Sequence, residues 1–316
     1  MPRALIVDPA FIGDVVFDGP LARALANDGY EVGIVVRPPA DVVAQRMTHV
    51  DHVHVFDKRG EDSGWSGLSR VAKTIAGGHY EVAYVPHPSV RSTMLAARAR
   101  IPRRLGSATS AFAKVWLTER IVPPPGGTFV TDRLALIDAK ADPSLSGVLT
   151  RRSARSSHAR PRVGLTLGSE WATKRWPPER AKQLVDRLDA GADFVWLGAP
   201  WEAALYAPFA DRGEDRTGGD LSALIDAIES CDVVVGGDTG PVHIARALAI
   251  PVVALFGPTS EARHTFAVAD EVEKKVLACR PCSAHGDHKC PLGHHECLAT
   301  LGGDEVADAV LRVLRR

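Results

Sequence analysis

Residues 233–259 constrain the fold of this chain more than any other segment. They begin with a β-branched run, residues 233–235, which is typical of a buried parallel strand. A glycine-rich turn follows at 236–240, Pro241 suits the first turn of a helix, and a second apolar run covers 252–256. We therefore predict a strand–helix–strand unit. Its turn directs free N–H groups and the positive end of a helix at a ligand, which suits a phosphate or diphosphate.

Composition narrows the class of protein further. A length of 316 residues with 45% hydrophobic residues predicts two domains with separate cores. Lys plus Arg equals Asp plus Glu at 38 each, so we expect no nucleic-acid partner. No apolar run reaches the length of a membrane span, and the N-terminus enters a strand without a signal-peptide pattern. We expect a cytoplasmic protein.

Alternating strands and helices along the chain predict an α/β fold with doubly wound sheets. Residues 139–162 shift in composition to Asp, Pro, Ser and Arg, which is typical of a mobile interdomain linker. We place the first domain at residues 1–155 and the second at 156–316. The last helix, predicted over 304–316, is expected to pack back towards the first domain. The dinucleotide fingerprint G-x-G-x-x-G is absent from the first turn, which argues against a nicotinamide oxidoreductase.

Residues 238–259, DTGPVHIARALAIPVVALFGPT, resemble the C-terminal signature of the ADP-heptose:lipopolysaccharide heptosyltransferases, glycosyltransferase family 9. Two further blocks resemble motifs of that family in the same order. They are Ile12-Gly13-Asp14-Val15-Val16, followed by Pro20-Leu21, and Gly168-Ser169 with Lys174-x-Trp176-Pro177. Asp18-Gly19 departs from the family pattern. The resemblance implies a GT-B architecture, in which two Rossmann-like doubly wound domains face each other across a cleft. The N-terminal domain would bind the acceptor and the C-terminal domain the donor.

The resemblance also implies roles for single residues. Asp14 and Lys174 would be the catalytic residues, Asp14 as the base and Lys174 on the donor diphosphate. Glu202, in the loop after a predicted strand at 194–198, would bind the nucleoside ribose. The donor-binding set implied by the resemblance is Gly13, Ser169, Lys174, Glu202, Asp238, Thr239, Gly240 and His243. The residues alone leave a structural alternative for three of these positions. Asp14 can be a helix cap, Lys174 an exposed side chain and His243 a buried structural histidine.

The implied reaction is an inverting transfer of heptose from ADP-heptose to the inner core of lipopolysaccharide. Asp14 would take the proton of an acceptor hydroxyl, while Lys174, Ser169 and the N–H groups at residues 239–240 stabilise the leaving diphosphate. This chemistry needs no metal and no cofactor. The expected partners are an ADP-sugar donor and a lipopolysaccharide core or related glycan, with at most peripheral contact at the inner face of the inner membrane.

Two alternatives remain open from the sequence. One is a transferase of the same family with another donor sugar or with a protein acceptor. The other is a non-catalytic nucleotide-sugar-binding protein. A base next to intact phosphate-binding motifs favours an enzyme, because a binding protein has no use for the base.

A C-terminal group of cysteines, Cys279, Cys282, Cys290 and Cys297, is not explained by the nucleotide site. C-x-x-C with two later cysteines can hold zinc, but the second pair is spaced too widely for a standard zinc ribbon. A cytosolic context argues against disulfides. We therefore predict free or adventitiously paired thiols and no metal, in a tail that lies away from the signature turn in sequence. Cys231 is predicted to be a small core residue.

Four arginines between residues 98 and 104 form a local positive cluster. Two interpretations remain open: the cluster binds an anionic acceptor, or it is a solvated face of the fold.

Overall fold

The computed structural model describes residues 1–107, 113–137, 141–152 and 158–316. The chain divides into two compact units. Unit 1 contains Met1–Thr150 and Arg263–Thr265, and unit 2 contains Arg151–Ala262 and Phe266–Arg316. Each unit is built on its own six-stranded sheet.

The sheet of unit 1 is entirely parallel, with the order β3-β2-β1-β4-β5-β6. Its strands are β1 (Arg3–Val7), β2 (Glu31–Val36), β3 (His52–Val55), β4 (Val82–Val85), β5 (Arg103–Ser107) and β6 (Glu119–Ile121). This order is that of the Rossmann fold, and the order in which the chain adds strands to the sheet reverses between β1 and β4. Ligands of such sheets bind outside the carboxyl ends of the strands at that switch point.

Helices cover the sheet of unit 1. They are α1 (Ile12–Phe17), α2 (Gly19–Asn27), α3 (Asp41–Ala44), α4 (Gly64–Ala76), α5 (Val90–Arg98) and α6 (Phe129–Leu134), with 3₁₀ turns at Ala113–Trp116 and Ala135–Ile137. Capping boxes fix the starts of two of them, Ser89 with Ser92 at α5 and Thr128 with Thr131 at α6. The apolar faces of α4 and α5 bury their side chains against β1 and β4.

Residues 12–27 form two helices, α1 and α2, joined at Asp18. Pro20 lies in the first turn of α2 and has no N–H to donate to the preceding turn, so the two helices remain separate. The N-cap of α1 is Phe11, and Asp14 stands inside the first turn. The interpretation of Asp14 as a helix cap is therefore wrong.

The prediction of a mobile linker is wrong for residues 141–150, which pack on α2. Arg23 on α2 donates hydrogen bonds to the carbonyls of Asp142 (2.9 Å) and Ser144 (2.7 Å). Val148 is buried against Gly19, where a Cβ would lie only 2.7 Å from the valine side chain. The arginine satisfies backbone carbonyls that a free linker would leave to water. Residues 139–140 and 153–157 of the predicted linker lie outside the described residues.

Unit 2 has a second parallel sheet, with the order β12-β11-β10-β7-β8-β9. Its strands are β7 (Arg162–Thr166), β8 (Asp193–Leu197), β9 (Gly213–Arg216), β10 (Val233–Gly237), β11 (Val252–Phe256) and β12 (Glu271–Lys274). Numbered within the unit, this is again the Rossmann order, so the predicted fold of two doubly wound sheets is confirmed. The strand–helix–strand unit predicted at 233–259 is confirmed as β10, α9 and β11.

The helices of unit 2 are α7 (Pro178–Leu188), α8 (Leu221–Glu229), α9 (Gly240–Ala247), α10 (Glu296–Ala299) and α11 (Gly303–Leu314), with 3₁₀ segments at Ala172–Lys174, Pro200–Arg212 and Glu261–Arg263. The expectation that the last helix returns to the first domain is wrong, because α11 lies against α7 and β10–β12. Gly303 permits this contact, since a Cβ there would lie 2.4 Å from the carbonyl oxygen of Arg180. Val306 and Val310 complete the core of unit 2. Among the described residues, every helix is too short or too polar to span a lipid bilayer.

Candidate active site

A buried ionic cluster lies at the carboxyl ends of β1 and β4 in unit 1. We call Asp8, Asp14, Asp18, His87 and Arg133 the Arg133 cluster. The Arg133 side chain, only 3% exposed, donates from Nε to Asp18 Oδ1 at 2.7 Å. Its Nη2 lies 3.4 Å from Asp8 Oδ2 and 3.4 Å from Asp14 Oδ1. One guanidinium therefore organises all three carboxyl groups.

The pKa values of the two fully buried carboxyls of the Arg133 cluster shift in opposite directions. Burial opposes ionisation of Asp8, but the charges of His87 and Arg133 outweigh it and hold the pKa of Asp8 below its usual value. Burial, reinforced by the negative charge of Asp8, raises the pKa of Asp18 well above its usual value despite Arg133. The two pKa values thus shift in opposite directions, so Asp18 holds a proton in preference to Asp8.

Asp14 is the carboxylate of the Arg133 cluster that is open to solvent. Its side chain is 25% exposed, whereas those of Asp8 and Asp18 are at most 1% exposed. Its Oδ1 lies 3.7 Å from His87 Nε2. Gly13 stands next to it in the first turn of α1. Asp14 is therefore the carboxylate of this cluster that a substrate can reach.

Sequence reasoning missed Asp8, His87 and Arg133 as site residues. Asp8 directly follows β1, and His87 follows β4 by two positions. A polar residue after each strand at the switch point of a doubly wound sheet was the available signal. Arg133 carried no such signal, because only the folded chain brings α6 to the ends of these strands.

A second ionic group lies at the carboxyl end of the sheet in unit 2. Lys174 Nζ is 2.9 Å from Asp238 Oδ2, and Asp238 Oδ1 is 3.0 Å from His243 Nε2. Arg246 Nη1 approaches His243 Nδ1 at 3.3 Å. The Lys174 side chain is only 12% exposed, so its interpretation as a free surface lysine is wrong. His243 is buried and paired within this group.

The predicted glycine-rich turn allows β10 to pass very close to the loop after β7. A Cβ at Gly236 would lie 2.2 Å from Thr166 Cγ2, and one at Gly237 would lie 2.6 Å from the carbonyl oxygen of Lys174. Thr239 is the N-cap of α9 and Gly240 its first residue, but in the described part of the chain no side chain caps this end. The Thr239 side chain thus leaves the first-turn N–H groups, which Pro241 lacks, to an anion.

Glu202 and Ser169 complete the predicted donor-binding set. The Ala199 N–H donates to Glu202 Oε2 at 2.9 Å, and burial raises the pKa of Glu202. A Cβ at Gly168 or Gly198 would lie 1.8 Å or 2.4 Å from this carboxylate, so a side chain at either position would displace the Glu202 carboxylate. The Ser169 hydroxyl is buried and accepts the Trp171 N–H at 3.2 Å. All of the predicted donor-binding residues except Gly13 therefore gather at the carboxyl end of the unit 2 sheet.

The cysteine-rich tail lies against this site, although it is distant from the signature turn in sequence. Thr173 and Asp287 exchange hydrogen bonds, Thr173 N–H to Asp287 O at 3.0 Å and Asp287 N–H to Thr173 Oγ1 at 2.8 Å. The Cys282 N–H donates to the carbonyl of Pro258 at 3.0 Å. The chain reaches this position through β12, which pairs with β11 and was not predicted.

The four tail cysteines differ in environment. Cys297 is buried, Cys279 and Cys290 are half-buried, and Cys282 is exposed. Backbone N–H groups, with that of His295 contributing most, lower the pKa of Cys290. Within the described residues, no three of these sulfur atoms come within 4.8 Å of one another. Cys231 is a core residue as predicted, and burial raises its pKa to about 12.

The arginines around β5 serve the fold. Arg103 pairs with Glu119 on β6 at 2.9 Å, and Arg104 donates from Nε to the carbonyl of Trp116 at 2.7 Å. Arg98 Nε reaches the Ser69 hydroxyl at 3.1 Å. These contacts favour the structural interpretation of the cluster over an acceptor site.

Comparison with known proteins identifies the family to which the chain belongs. The family model "Glycosyltransferase family 9 (heptosyltransferase)" matches residues 68–295. The lipopolysaccharide heptosyltransferase 2 of Escherichia coli K12 is 25% identical over 293 residues, which cover 82% of this chain and 83% of the relative. The lipooligosaccharide heptosyltransferase 2 of Campylobacter jejuni is 33% identical over 98 residues, 30% of each chain, so this match spans less than a third of that relative.

The solved E. coli ADP-heptose lipopolysaccharide heptosyltransferase II has a TM-score of 0.79 with this chain at 20% identity, and the match covers 99% of this chain and 98% of that one. The fold class predicted from the motifs is confirmed.

Proposed function

Because this chain belongs to glycosyltransferase family 9, we propose that it is an inverting glycosyltransferase that moves heptose from ADP-heptose to the inner core of lipopolysaccharide. The observation that carries the proposal is the gathering of Ser169, Lys174, Asp238 and the open first turn of α9 at one end of a sheet. The largely buried ammonium group of Lys174 lies beside helix-start N–H groups that the Thr239 side chain does not cap. This combination suits the diphosphate of a nucleotide sugar.

In the donor site, Lys174 is held by Asp238 until a diphosphate competes for its ammonium group. The first-turn N–H groups of α9 add donors of fixed direction, at the positive end of the helix. Both interactions become stronger as negative charge grows on the leaving ADP, so they accelerate the reaction as well as bind the donor. Glu202, in the loop after β8, is assigned to the ribose.

On the acceptor side, Asp14 takes the proton of the attacking hydroxyl. The new C–O bond forms at the anomeric carbon while the bond from that carbon to the phosphate oxygen breaks on the opposite face. ADP leaves with the electron pair, and the configuration inverts. This chemistry uses an exposed carboxylate, and Asp14 is the exposed carboxylate of the Arg133 cluster.

The proposed acceptor is a lipopolysaccharide core or a related glycan. Because such an acceptor is anchored in lipid, we expect at most peripheral contact of the protein with the inner face of the inner membrane. No nucleic acid and no cofactor are required for the proposed reaction.

A donor screen followed by a transfer assay tests the proposal. A bound donor raises the melting temperature by mass action, so ADP-heptose should raise it more than UDP- or GDP-sugars do. With heptose-deficient lipopolysaccharide present, ADP should then be released and the product should carry the inverted anomeric configuration. Preference for another ADP-sugar would indicate a different donor within the family. Donor binding without transfer to any acceptor would indicate the non-catalytic alternative.

A further inference from the structure

His87 stands between a buried carboxylate and the exposed Asp14. Its Nδ1 lies 2.9 Å from Asp8 Oδ2, and its Nε2 lies 3.7 Å from Asp14 Oδ1. The Asp8 contact of Nδ1 is shorter than the 3.4 Å contact of Nδ1 with Arg133 Nη2, so we assign a hydrogen to Nδ1 that it donates to Asp8. The tautomer of His87 is thereby fixed. In the neutral ring, the lone pair of Nε2 is the one that faces Asp14.

We propose that His87 accepts, at Nε2, the proton that Asp14 takes from the acceptor hydroxyl. The inference rests on the proposed glycosyl transfer with Asp14 as the base. The hydroxyl proton moves to Asp14 Oδ1 as the C–O bond forms and ADP departs with the electron pair of the broken bond. The proton then moves to Nε2, which restores the Asp14 carboxylate. The resulting imidazolium releases the proton to water, because the His87 side chain is 43% exposed.

The charges of the Arg133 cluster favour this transfer. With His87 neutral and a proton on Asp18, which its raised pKa favours, the cluster holds two negative charges, on Asp8 and Asp14, and one positive charge on Arg133. Arrival of one proton on His87 makes the cluster neutral.

His87 is faced by charged groups from three elements: Asp8 after β1, Asp14 on α1 and Arg133 on α6. Burial opposes the imidazolium, but the charge and hydrogen bond of Asp8 outweigh burial and Arg133, so the pKa of His87 is raised above its usual value. Below that pKa the ring already carries its second proton and cannot accept another. Turnover should therefore rise with pH through the pKa of His87.

The test compares turnover against pH for the full chain and for H87Q, with the donor that the wild-type protein uses. Gln cannot take a proton, so we expect H87Q to lose about 10–100-fold in kcat above the His87 pKa, less than the loss of a direct base. The rise in rate at the His87 pKa should also vanish, while ADP affinity stays unchanged. H79Q, which alters an exposed histidine just before β4, should keep the wild-type profile.

Two further variants separate proton transfer from a structural effect. D8N removes the charge that stabilises the imidazolium and so lowers the pKa of His87. The rise in turnover with pH, the acid limb of the profile, should therefore move to lower pH. In H87A, added imidazole should restore part of the turnover, which a purely structural histidine would not permit.

Wild-type turnover and an unchanged acid limb in H87Q would overturn the inference. Reduced turnover with the limb still at its wild-type pH would do the same. If H87Q does not fold, the D8N shift and the imidazole rescue decide the question. Failure of the proposed function is distinct, because wild-type protein would then release ADP from no donor. An inactive D14N beside a normal H87Q would reject this inference alone.

Discussion

Gly286 lies against the side chain of Lys174, although one belongs to the cysteine-rich tail and the other to the loop after β7. A Cβ at Gly286 would stand 2.8 Å from Lys174 Cδ and 2.8 Å from Trp171 Cβ. Gly286 also has a φ of +96°, a conformation that favours glycine. The tail therefore holds the aliphatic part of the lysine whose ammonium group pairs with Asp238.

This contact predicts that G286A weakens ADP binding. The new methyl group must displace Lys174 or the tail, so we expect a several-fold loss of ADP affinity by calorimetry. G293A is the matched control, because Gly293 also has a positive φ (+77°) but a Cβ there meets no atom of the described residues within 4 Å. Both variants should lose roughly 1 kcal/mol of stability from backbone strain. Equal ADP affinities in the two variants would show that the contact does not matter for binding.

Replacement of Lys174 should affect both binding and chemistry. K174A removes a charge-assisted hydrogen bond to the diphosphate, worth about 1.5–3 kcal/mol, so ADP affinity should fall about 10–100-fold. Turnover should fall as well, because the charge that Lys174 meets grows during the reaction. K182A, which removes an exposed lysine paired with Asp186 on α7, should leave both unchanged. Unchanged ADP affinity in K174A would remove this residue from the donor site.

D14N tests the base directly. We expect turnover to fall about 10²–10⁴-fold with donor affinity near that of the wild type. D41N is the control, since Asp41 also lies in the first turn of a short helix, α3, and shares any effect on the helix dipole. If both variants keep similar turnover, Asp14 acts only on its helix.

The sequence predicted the buried elements that have long apolar runs. It missed the short strands whose only signal is their pairing with a neighbouring strand. β10, α9 and β11 have continuous apolar runs and turn residues, so their positions followed from local physics. The strands β6, β9 and β12, with sequences ERI, GEDR and EVEK, are short edge strands rich in charge. Nothing in their local pattern distinguishes them from loops. The tail contact to Lys174 depends on β12, which explains why it was also missed.

The site residues also divide into those that a local motif indicated and those that only the fold brings together. Lys174, Asp238 and Thr239 lie within motifs, and the chain brings them to one end of a sheet as expected. The partnership of Asp8, Asp18 and Arg133 joins residues far apart in sequence, so no local pattern could indicate it.

The pKa of Asp8 is lowered and that of Asp18 is raised, so the two residues should change the stability of the fold in opposite directions as pH rises. The pKa of Asp18 is raised, so between the unfolded and folded values the native state must hold a proton that the unfolded chain has lost. This lowers stability by up to about 1.4 kcal/mol per pH unit as pH rises. D18N keeps an acceptor for Arg133 and a donor for Asp8 without that proton, so its melting temperature relative to wild type should rise with pH.

D8N should behave in the opposite way. The pKa of Asp8 is lowered in the folded state, so its contribution to stability is present above the unfolded value and is lost as pH falls through the folded one. D8N should therefore be less stable than wild type at pH 7, and the difference should shrink in acid. If the melting temperatures of D18N and wild type differed by the same amount at every pH, the raised pKa of Asp18 would be contradicted.

The cysteine tail gives the last prediction. We expect the purified protein to contain far less than one zinc per chain, and a chelator to change neither its melting temperature nor its ADP affinity. The test is sensitive because a structural metal in this tail would support the contacts to Thr173 and Lys174, so its removal should weaken both stability and ADP binding. Elemental analysis of the wild type and of single Ser variants of Cys279, Cys282, Cys290 and Cys297 decides it, with C231A as a cysteine control in the core. One tightly held zinc per chain, lost with any one tail cysteine and retained in C231A, would make the tail a metal-stabilised part of the donor site.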